Sequence, residues 1–149
     1  MTYQYKKPPK RRNYAYIDGS FNPKTGVYGC GGFLVDQHGK EWIIKGHGKN
    51  PEMAKMRNVA GEILGAKKAI NKAMRLKMDW LMIFYDYEGV AAWALGTWKP
   101  KKKHTIAYAE FFKKAIETGL VVLFQHVDAH TGIEGNERAD KLAKEAVGL

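Results

Sequence analysis

The chain has 149 residues, of which 45% are hydrophobic and 12% aromatic, a composition typical of one folded domain and unlike that of a disordered chain. Its apolar runs, such as 91–95 and 119–124, are far below the ~20 residues that span a bilayer. Its polar N-terminus lacks the apolar segment of a secretory signal. The single cysteine, Cys30, excludes an internal disulfide and a multi-cysteine zinc site. We therefore expect a cytoplasmic protein that does not span a membrane.

The charge is strongly positive, because 25 Lys and Arg against 15 Asp and Glu give a net charge of +10. Five of the basic residues, together with Pro8 and Pro9 and without any acid, lie in residues 1–12, which we interpret as a flexible basic arm before a folded domain at 13–149. Such an excess favours a polyanionic partner such as nucleic acid. The alternative is a solvated basic surface that serves only solubility.

Three β-prone segments open the folded part. The predicted strands are 14–18, 29–35 and 41–46. Turn-forming residues at 22–26 separate the first two strands, and Asp36-Gln37-His38-Gly39 is a hairpin signal between the second and the third. Connections this short favour antiparallel neighbours.

Helices and strands alternate after residue 50. Apolar residues at 59, 63, 66, 70 and 74 recur at helical spacing, and the continuous apolar run Trp80–Tyr85 is typical of a strand buried on both faces. A short helix is predicted near 90–95 and, after a basic break at 99–103, a second helix that ends at Gly119. A strand at 120–127 and a last helix, with an apolar stripe from Ala139 to Val147, complete the chain. The order β-β-β-α-β-α-α-β-α predicts an α/β fold, a five-stranded mixed sheet of three antiparallel and then two parallel strands flanked by helices.

Four acids stand where such a sheet would bring them together. Asp18 ends the first predicted strand and Asp86 ends the fourth, and the carboxyl ends of parallel strands meet at one edge. Glu62 lies on the helix after the third strand, and Asp140 lies in the first turns of the last helix. Converging carboxylates repel each other, so a fold keeps them mainly where a cation such as Mg²⁺ or Mn²⁺ neutralises them. A pair of such ions can hold the attacking and the leaving oxygens of a phosphodiester.

Each acid also has an ordinary structural explanation. Asp18 would start a turn, Asp86 would cap the following helix, and Asp140 would complement the dipole of the last helix. Glu62 would pair with a lysine such as Lys67. The motifs that surround the four acids favour the metal site over these separate explanations.

Those surrounding segments resemble the motifs of type 1 ribonuclease H. The matching segments are Tyr16-Ile17-Asp18-Gly19-Ser20, Asn58 with Glu62 four residues later, Ile83-Phe84-Tyr85-Asp86, His126-Val127-Asp128-Ala129-His130-Thr131-Gly132 and Asn136-Glu137-Arg138-Ala139-Asp140. The resemblance covers residues 14–146, and the motifs follow the family's order on matching predicted elements. It implies a ribonuclease H-like fold, with the catalytic domain at 13–149.

The resemblance implies an endonuclease that hydrolyses the RNA strand of RNA–DNA hybrids and leaves 5′-phosphate and 3′-hydroxyl ends. Asp18, Glu62, Asp86 and Asp140 would hold two Mg²⁺ ions, with Mn²⁺ as an alternative metal. Water activated on one ion would attack phosphorus while the other ion stabilises the leaving 3′-oxygen. His130 would handle a proton or assist product release, which the ordinary pKa of a histidine near neutrality allows. The family analogy also implies a monomer.

Selectivity for a hybrid requires groups that sense the 2′-hydroxyl of the RNA strand. The resemblance assigns this role to backbone groups and amides at Gly19, Ser20 and Asn58. Asn22 and Asn136 are further candidates for the same role.

The DNA strand requires a second set of contacts. Trp93 or Trp98 would stack on a deoxyribose, and Arg57 or the lysines at 99–103 would hold phosphates. The alternative is that both tryptophans pack in the core or at its rim and that the lysines form a solvated loop.

This chain departs from the family's pattern at three places. Tyr87 follows Asp86 where a serine is common, Asp128 stands two residues before His130, and 98–104 is too short for the extra helix and basic protrusion of some bacterial members. Two other functions therefore stay open. One is a nuclease of the same superfamily with another substrate, and the other is a non-catalytic module that binds hybrids or RNA.

Overall fold

The computed structural model describes residues 12–128 and 132–149. The strands are β1 (Tyr14–Asn22), β2 (Val27–Val35), β3 (Glu41–Gly48), β4 (Trp80–Tyr85) and β5 (Val121–His126). The helices are α1 (Pro51–Ala54), α2 (Asn58–Arg75), α3 (Gly89–Leu95), α4 (Lys103–Glu117) and α5 (Glu134–Ala146). In the described part, no helix combines the length and the hydropathy needed to cross a membrane.

The strands form one sheet in the order β3-β2-β1-β4-β5. β2 is antiparallel to both β1 and β3, whereas β4 is parallel to both β1 and β5. This arrangement confirms the predicted mixed sheet of three antiparallel strands followed by two parallel ones. Because β1, β4 and β5 run parallel, their carboxyl ends lie at one edge of the sheet.

Helices cover both faces of the sheet because successive side chains of a strand point to opposite sides. On β1, Ile17 belongs to the larger hydrophobic core, which includes Ile63 and Ile70 of α2. Its neighbour Tyr16 belongs to a second core, which includes Ala139 of α5. β1 is therefore sandwiched directly between α2 and α5, and all three elements carry predicted site residues.

The first strand is longer than its sequence predicts. β1 does not end at Asp18 but runs on to Asn22, because β2 continues to pair with it as far as the Asn22–Val27 pair. The parallel pairing of β1 with β4 stops at Tyr16. Asp18 therefore lies inside β1, just past the point where the β1–β4 ladder ends, and this corrects the prediction that it closes the strand.

The glycine-rich strand β2 is buried along its whole length. A Cβ added at Gly31 would overlap the backbone of Leu142 and Ala143 in α5. Glycine at this position lets α5 approach the sheet closely. That approach places the helix carrying Asp140 next to β1.

A four-residue helix, α1, precedes α2 and is not predicted by the sequence. The Asn50 side chain caps it, with its Oδ1 atom accepting hydrogen bonds from the backbone N–H groups of Glu52 and Met53. The segment is too short to show a helical apolar pattern.

Candidate functional site

Three predicted carboxylates meet at the edge where β1 and β4 separate. Asp18 comes from β1, Glu62 from α2, and Asp86 directly follows β4. Each offers one oxygen atom, and these three atoms lie within 4.8 Å of one another. Asp18 and Glu62 are buried, with Glu62 only 1% exposed, whereas Asp86 is partly exposed.

The close contact between β1 and α2 brings Glu62 to Asp18. A Cβ added at Gly19 would overlap the carbonyl oxygen of Asn58 and the backbone nitrogen of Glu62. The backbone N–H of Gly19 also donates a hydrogen bond of 2.8 Å to Oδ1 of Asp18. Gly19 therefore both allows the helix to approach and orients the first carboxylate.

We expect Gly19→Ala to unfold at a lower temperature, because the added methyl group would overlap the backbone of α2 at Asn58 and Glu62. Overpacking of this kind costs about 1–3 kcal/mol or more in the free energy of unfolding. Gly65→Ala is the matched control, since a Cβ there would meet its nearest atoms, the Cβ atoms of Cys30 and Ile17, at 3.3 and 3.4 Å without overlap. Thermal unfolding of both variants checks this, and equal losses of stability would contradict it.

Burial and mutual repulsion raise the pKa values of the inner acids. The pKa of Asp18 is raised to about 7, chiefly because the carboxyl is buried; the charges of Asp86 and Asp140 also raise it, whereas hydrogen bonds with Glu62 and Gly19 lower it. The pKa of Glu62 is raised well above its ordinary value, chiefly because the carboxyl is buried and also because the charges of Asp18 and Asp86 are close. The Oε2 atom of Glu62 is buried and has no hydrogen-bond partner among the residues at 12–128 and 132–149.

This donor set fits a divalent cation. Carboxylate oxygens are the ligands that Mg²⁺ and Mn²⁺ prefer, and a bound cation reverses the repulsion that raises the pKa of each acid. The orphaned oxygen of Glu62 is a further ligand atom without a protein partner in the described part of the chain. The structure thus brings together three of the four predicted ligands.

Asp140, the fourth predicted ligand, stands beside this cluster and has a cationic partner. Its Oδ2 atom lies 3.0 Å from Nζ of Lys144, one turn further along α5. Its charge reaches Asp18, whose pKa it helps to raise. We did not predict Lys144 from the sequence, although the i,i+4 spacing of an acid and a lysine is a recognisable signal for such a pair.

A histidine of β5 holds the backbone at Asp86. Nε2 of His126 lies 2.8 Å from the carbonyl oxygen of Asp86, and because a carbonyl only accepts, Nε2 carries the proton. Nδ1 of the same ring is 3.8 Å from a carboxylate oxygen of Asp128. These contacts give His126 a structural role at the end of β4. His130 lies outside the described residues.

The residues predicted to read RNA fall into two groups. Ser20 is on β1 near Asp18, and Asn58 is the exposed first residue of α2. The Asn22 amide instead donates to the carbonyl of Val147 and its oxygen accepts from the N–H of Lys24, so its contacts are accounted for within the protein. Asn136 is 3% exposed, and its Oδ1 atom has no partner among the described residues.

The residues predicted to hold DNA line or flank a cavity of about 350 Å³ next to the start of α2. The lining residues are Met56, Val59, Tyr87, Trp93, Lys99, Lys101, Lys102 and Thr105. Trp93 contacts Tyr87 and Trp98 with ring centroids 5.9 and 5.6 Å apart. Arg57 lies outside the cavity lining, with its guanidinium 4.7 Å from the ring centre of Phe21. Tyr87, a departure from the family pattern, is thus part of an aromatic wall.

The sequence is similar to proteins of one known family. A family model described as RNase H matches residues 10–148. A ribonuclease H of Francisella philomiragia is 27% identical over 148 residues, covering 93% of this chain and 92% of that protein. Human ribonuclease H1 is 34% identical over 99 residues, which are 59% of this chain and only 34% of the human protein.

Solved structures show the same fold. The RNase H1 of the archaeon Halobacterium salinarum has a TM-score of 0.69 and 25% identity, covering 91% of this chain and 96% of that one. LC11-RNase H1, solved in complex with an RNA/DNA hybrid, has a TM-score of 0.66 and 20% identity, covering 90% and 95%. The sheet order and the carboxylate cluster define an α/β protein of the ribonuclease H fold. The match to the family model, which extends over nearly the whole sequence, shows that the chain belongs to the RNase H family.

Proposed function

We propose that this chain is an endonuclease that hydrolyses the RNA strand of RNA–DNA hybrids with two divalent metal ions, leaving 5′-phosphate and 3′-hydroxyl ends. The observation that carries the proposal is the buried cluster of Asp18, Glu62 and Asp86 in a chain of the RNase H family. The hybrid bound to LC11-RNase H1 supports the choice of substrate.

Asp18, Glu62, Asp86 and Asp140 would hold the metal, which we propose to be Mg²⁺ with Mn²⁺ as an alternative. When bound, divalent ions supply Lewis-acid stabilisation of phosphate charge and lower the pKa of water. The carboxylates of the cluster give up their protons when they act as ligands, and Lys144 orients Asp140. We propose that His130 moves a proton or assists product release.

The substrate contacts extend the same proposal. Gly19, Ser20 and Asn58 would contact the RNA strand beside the carboxylates, with Asn136 and Asn22 supporting that edge from within the protein. The aromatic and lysine-lined cavity next to α2 would hold the DNA strand, with Arg57 at its border. A monomeric, cytoplasmic enzyme with a basic arm at 1–12 and a catalytic domain at 13–149 completes the proposal.

We expect Trp93→Ala to raise KM for the hybrid roughly tenfold with little change in kcat, because stacking on a sugar or base contributes to binding and not to chemistry. Trp98→Ala should have a smaller effect, since Trp98 supports the ring of Trp93 without lining the cavity. Steady-state cleavage kinetics of both variants measure this. A larger KM effect at Trp98 would assign the DNA contact to that residue instead.

A cleavage assay with an end-labelled RNA strand tests the proposed function. The strand is offered as a hybrid, as an RNA duplex and alone, with Mg²⁺, with Mn²⁺ or with a chelator, and binding of the hybrid is measured beside cleavage. We expect cleavage of the hybrid only, and none with the chelator. Cleavage of the RNA duplex would point to a nuclease with another substrate. Hybrid binding without cleavage under either metal would point to a non-catalytic binding module.

A further inference from the structure

A second groove lies between the outermost strand β3 and the C-terminal half of α2. It has a volume of about 250 Å³ and is lined by Trp42, Ile43, Ile44, Lys45, Lys68, Asn71, Lys72 and Arg75. It shares no residue with the carboxylate cluster or with the cavity that contains Trp93. Half of its lining residues are cationic, and none is acidic.

The positive charge of the α2–β3 groove is not neutralised by the protein itself. Within 12–128 and 132–149, no carboxylate comes within salt-bridge distance of Lys45, Lys68, Lys72 or Arg75. The single acid of α2 is Glu62, which belongs to the carboxylate cluster.

The one acid of β3 is also committed elsewhere. Glu41 forms a two-pronged ion pair with Arg138 of α5. The groove therefore concentrates like charges that repel one another, as Lys68 and Lys72 do at i,i+4 on a helix.

An indole helps to position part of this charge. The ammonium of Lys72 lies 3.7 Å from the ring centre of Trp42, and that of Lys40 lies 4.2 Å from it. The indole Nε1–H donates a hydrogen bond of 2.9 Å to Asp36, whose carboxylate also accepts from the hairpin backbone at His38 and Lys40. Trp42 is thereby anchored to the β2–β3 hairpin, and its ring holds the ammonium of Lys72 at the groove.

We propose that the α2–β3 groove is a second nucleic-acid contact, which binds the phosphate backbone of a duplex apart from the catalytic edge. Lys68, Lys72 and Arg75 span about 10 Å of helix, a length over which a duplex presents several phosphates. Asn71 lies among them and adds an amide donor. The groove begins about 9 Å along α2 from Glu62 and extends to about 20 Å from it.

A polynucleotide is a better fit than an acidic protein for two reasons. The groove offers separated point charges with little exposed apolar surface besides Ile43, whereas protein interfaces centre on buried apolar anchors. The chain also enters the described part at Arg12, whose guanidinium contacts the carbonyl of Gln37 in the β2–β3 hairpin, so the basic segment 1–12 joins the protein near this groove. This choice of occupant rests on the proposed function, which places a nucleic acid on the protein.

The test compares Lys68→Gln/Lys72→Gln with a matched control, Lys113→Gln/Lys114→Gln, which removes two exposed lysines of α4. Affinity for a long DNA duplex is measured by fluorescence anisotropy in chelator over a series of salt concentrations. Cleavage of a short hybrid with Mg²⁺ is measured in parallel, and thermal unfolding verifies that both variants are folded. The short-hybrid assay reports the catalytic edge, so failure of the proposed function and failure of the groove proposal are separable.

We expect the groove variant to bind the long duplex roughly tenfold more weakly, with the salt slope reduced by about two, while the control matches the unmodified chain. Short-hybrid cleavage should be the same in all three proteins. An affinity and a salt slope equal to those of the control would overturn the proposal. So would loss of binding to poly-glutamate with unchanged duplex binding, because that result would identify an acidic polypeptide as the occupant.

Discussion

Replacing Asp86 with asparagine is expected to reduce hybrid cleavage by roughly 1000-fold or more, because metal-ion stabilisation of transition-state charge supplies several kcal/mol. The asparagine amide would keep the size of the side chain but remove one of the three converging charges. Asp86 is partly exposed and lies in the loop after β4, so the core beneath it is not disturbed. We therefore expect the variant to fold and to bind the hybrid while it fails to cleave.

Asp79→Asn is the matched control for this experiment. Asp79 is exposed and directly precedes β4, at the opposite end of the strand that Asp86 follows. Calorimetric titration with Mg²⁺ should show weaker binding for Asp86→Asn and unchanged binding for Asp79→Asn. Wild-type turnover in Asp86→Asn would remove Asp86 from the proposed metal site, and the same loss in both variants would indicate a general effect on β4.

The metal-free protein is expected to lose stability as the pH rises from about 4 to about 7. The carboxyl of Asp18 has an ordinary pKa of 3.8 and a raised value of about 7 in the fold, chiefly because it is buried. Between these values the folded state binds more protons than the unfolded chain, so unfolding releases protons and becomes more favourable with rising pH. The loss is complete above the folded pKa, and the raised pKa of Glu62 contributes a loss of the same sign.

Denaturant titrations in chelator at several pH values measure this effect. Asp18→Asn serves as the control, and its stability should vary less across the same window, because one of the two buried acids with a raised pKa is removed while Glu62 remains. Glu41 contributes a slope of the opposite sign, but Arg138 lowers its pKa, so that slope ends at the ordinary value of 4.5, at the lower end of the window. Saturating Mg²⁺ should restore stability at neutral pH, by about 2.7 kcal/mol at one hundred times its Kd. A stability that rises with pH in chelator would contradict the prediction.

Local pattern was sufficient to predict most of the fold. The helical spacing of Val59, Ile63 and Ile70 predicts α2, and the apolar run Trp80–Tyr85 matches β4 as observed. The length of β1 was not predictable in this way. Its last residues pair only with β2, and Gly19 and Ser20 carry a turn-like composition that the tertiary contact with α2 overrides.

The residues of the candidate site were likewise predictable where they belong to a motif, and not where they depend on tertiary contacts. The order of the acid-bearing motifs identified Asp18, Glu62 and Asp86, and the structure brings these three together. The i,i+4 spacing of Asp140 and Lys144 is a signal for their ion pair, but the position of Asp140 beside the other three acids depends on how α5 packs against β1 and β2. Nor did it show that His126 reaches the carbonyl of Asp86, since that contact exists only because β5 lies beside β4.

The sequence by itself determined the main elements, their order, the family and the identity of the acids, because each of these follows from short segments of the chain. Only the tertiary structure decided which polar groups are buried without partners, and therefore which carboxyls hold their protons most tightly. It also decided that Trp42, Lys45 and Lys72 form one groove, although the loop and helix between them span more than twenty residues. Their proximity depends on the order of the strands and on which helix packs on each face of the sheet. The periodic pattern of a single segment does not show which other segments it contacts.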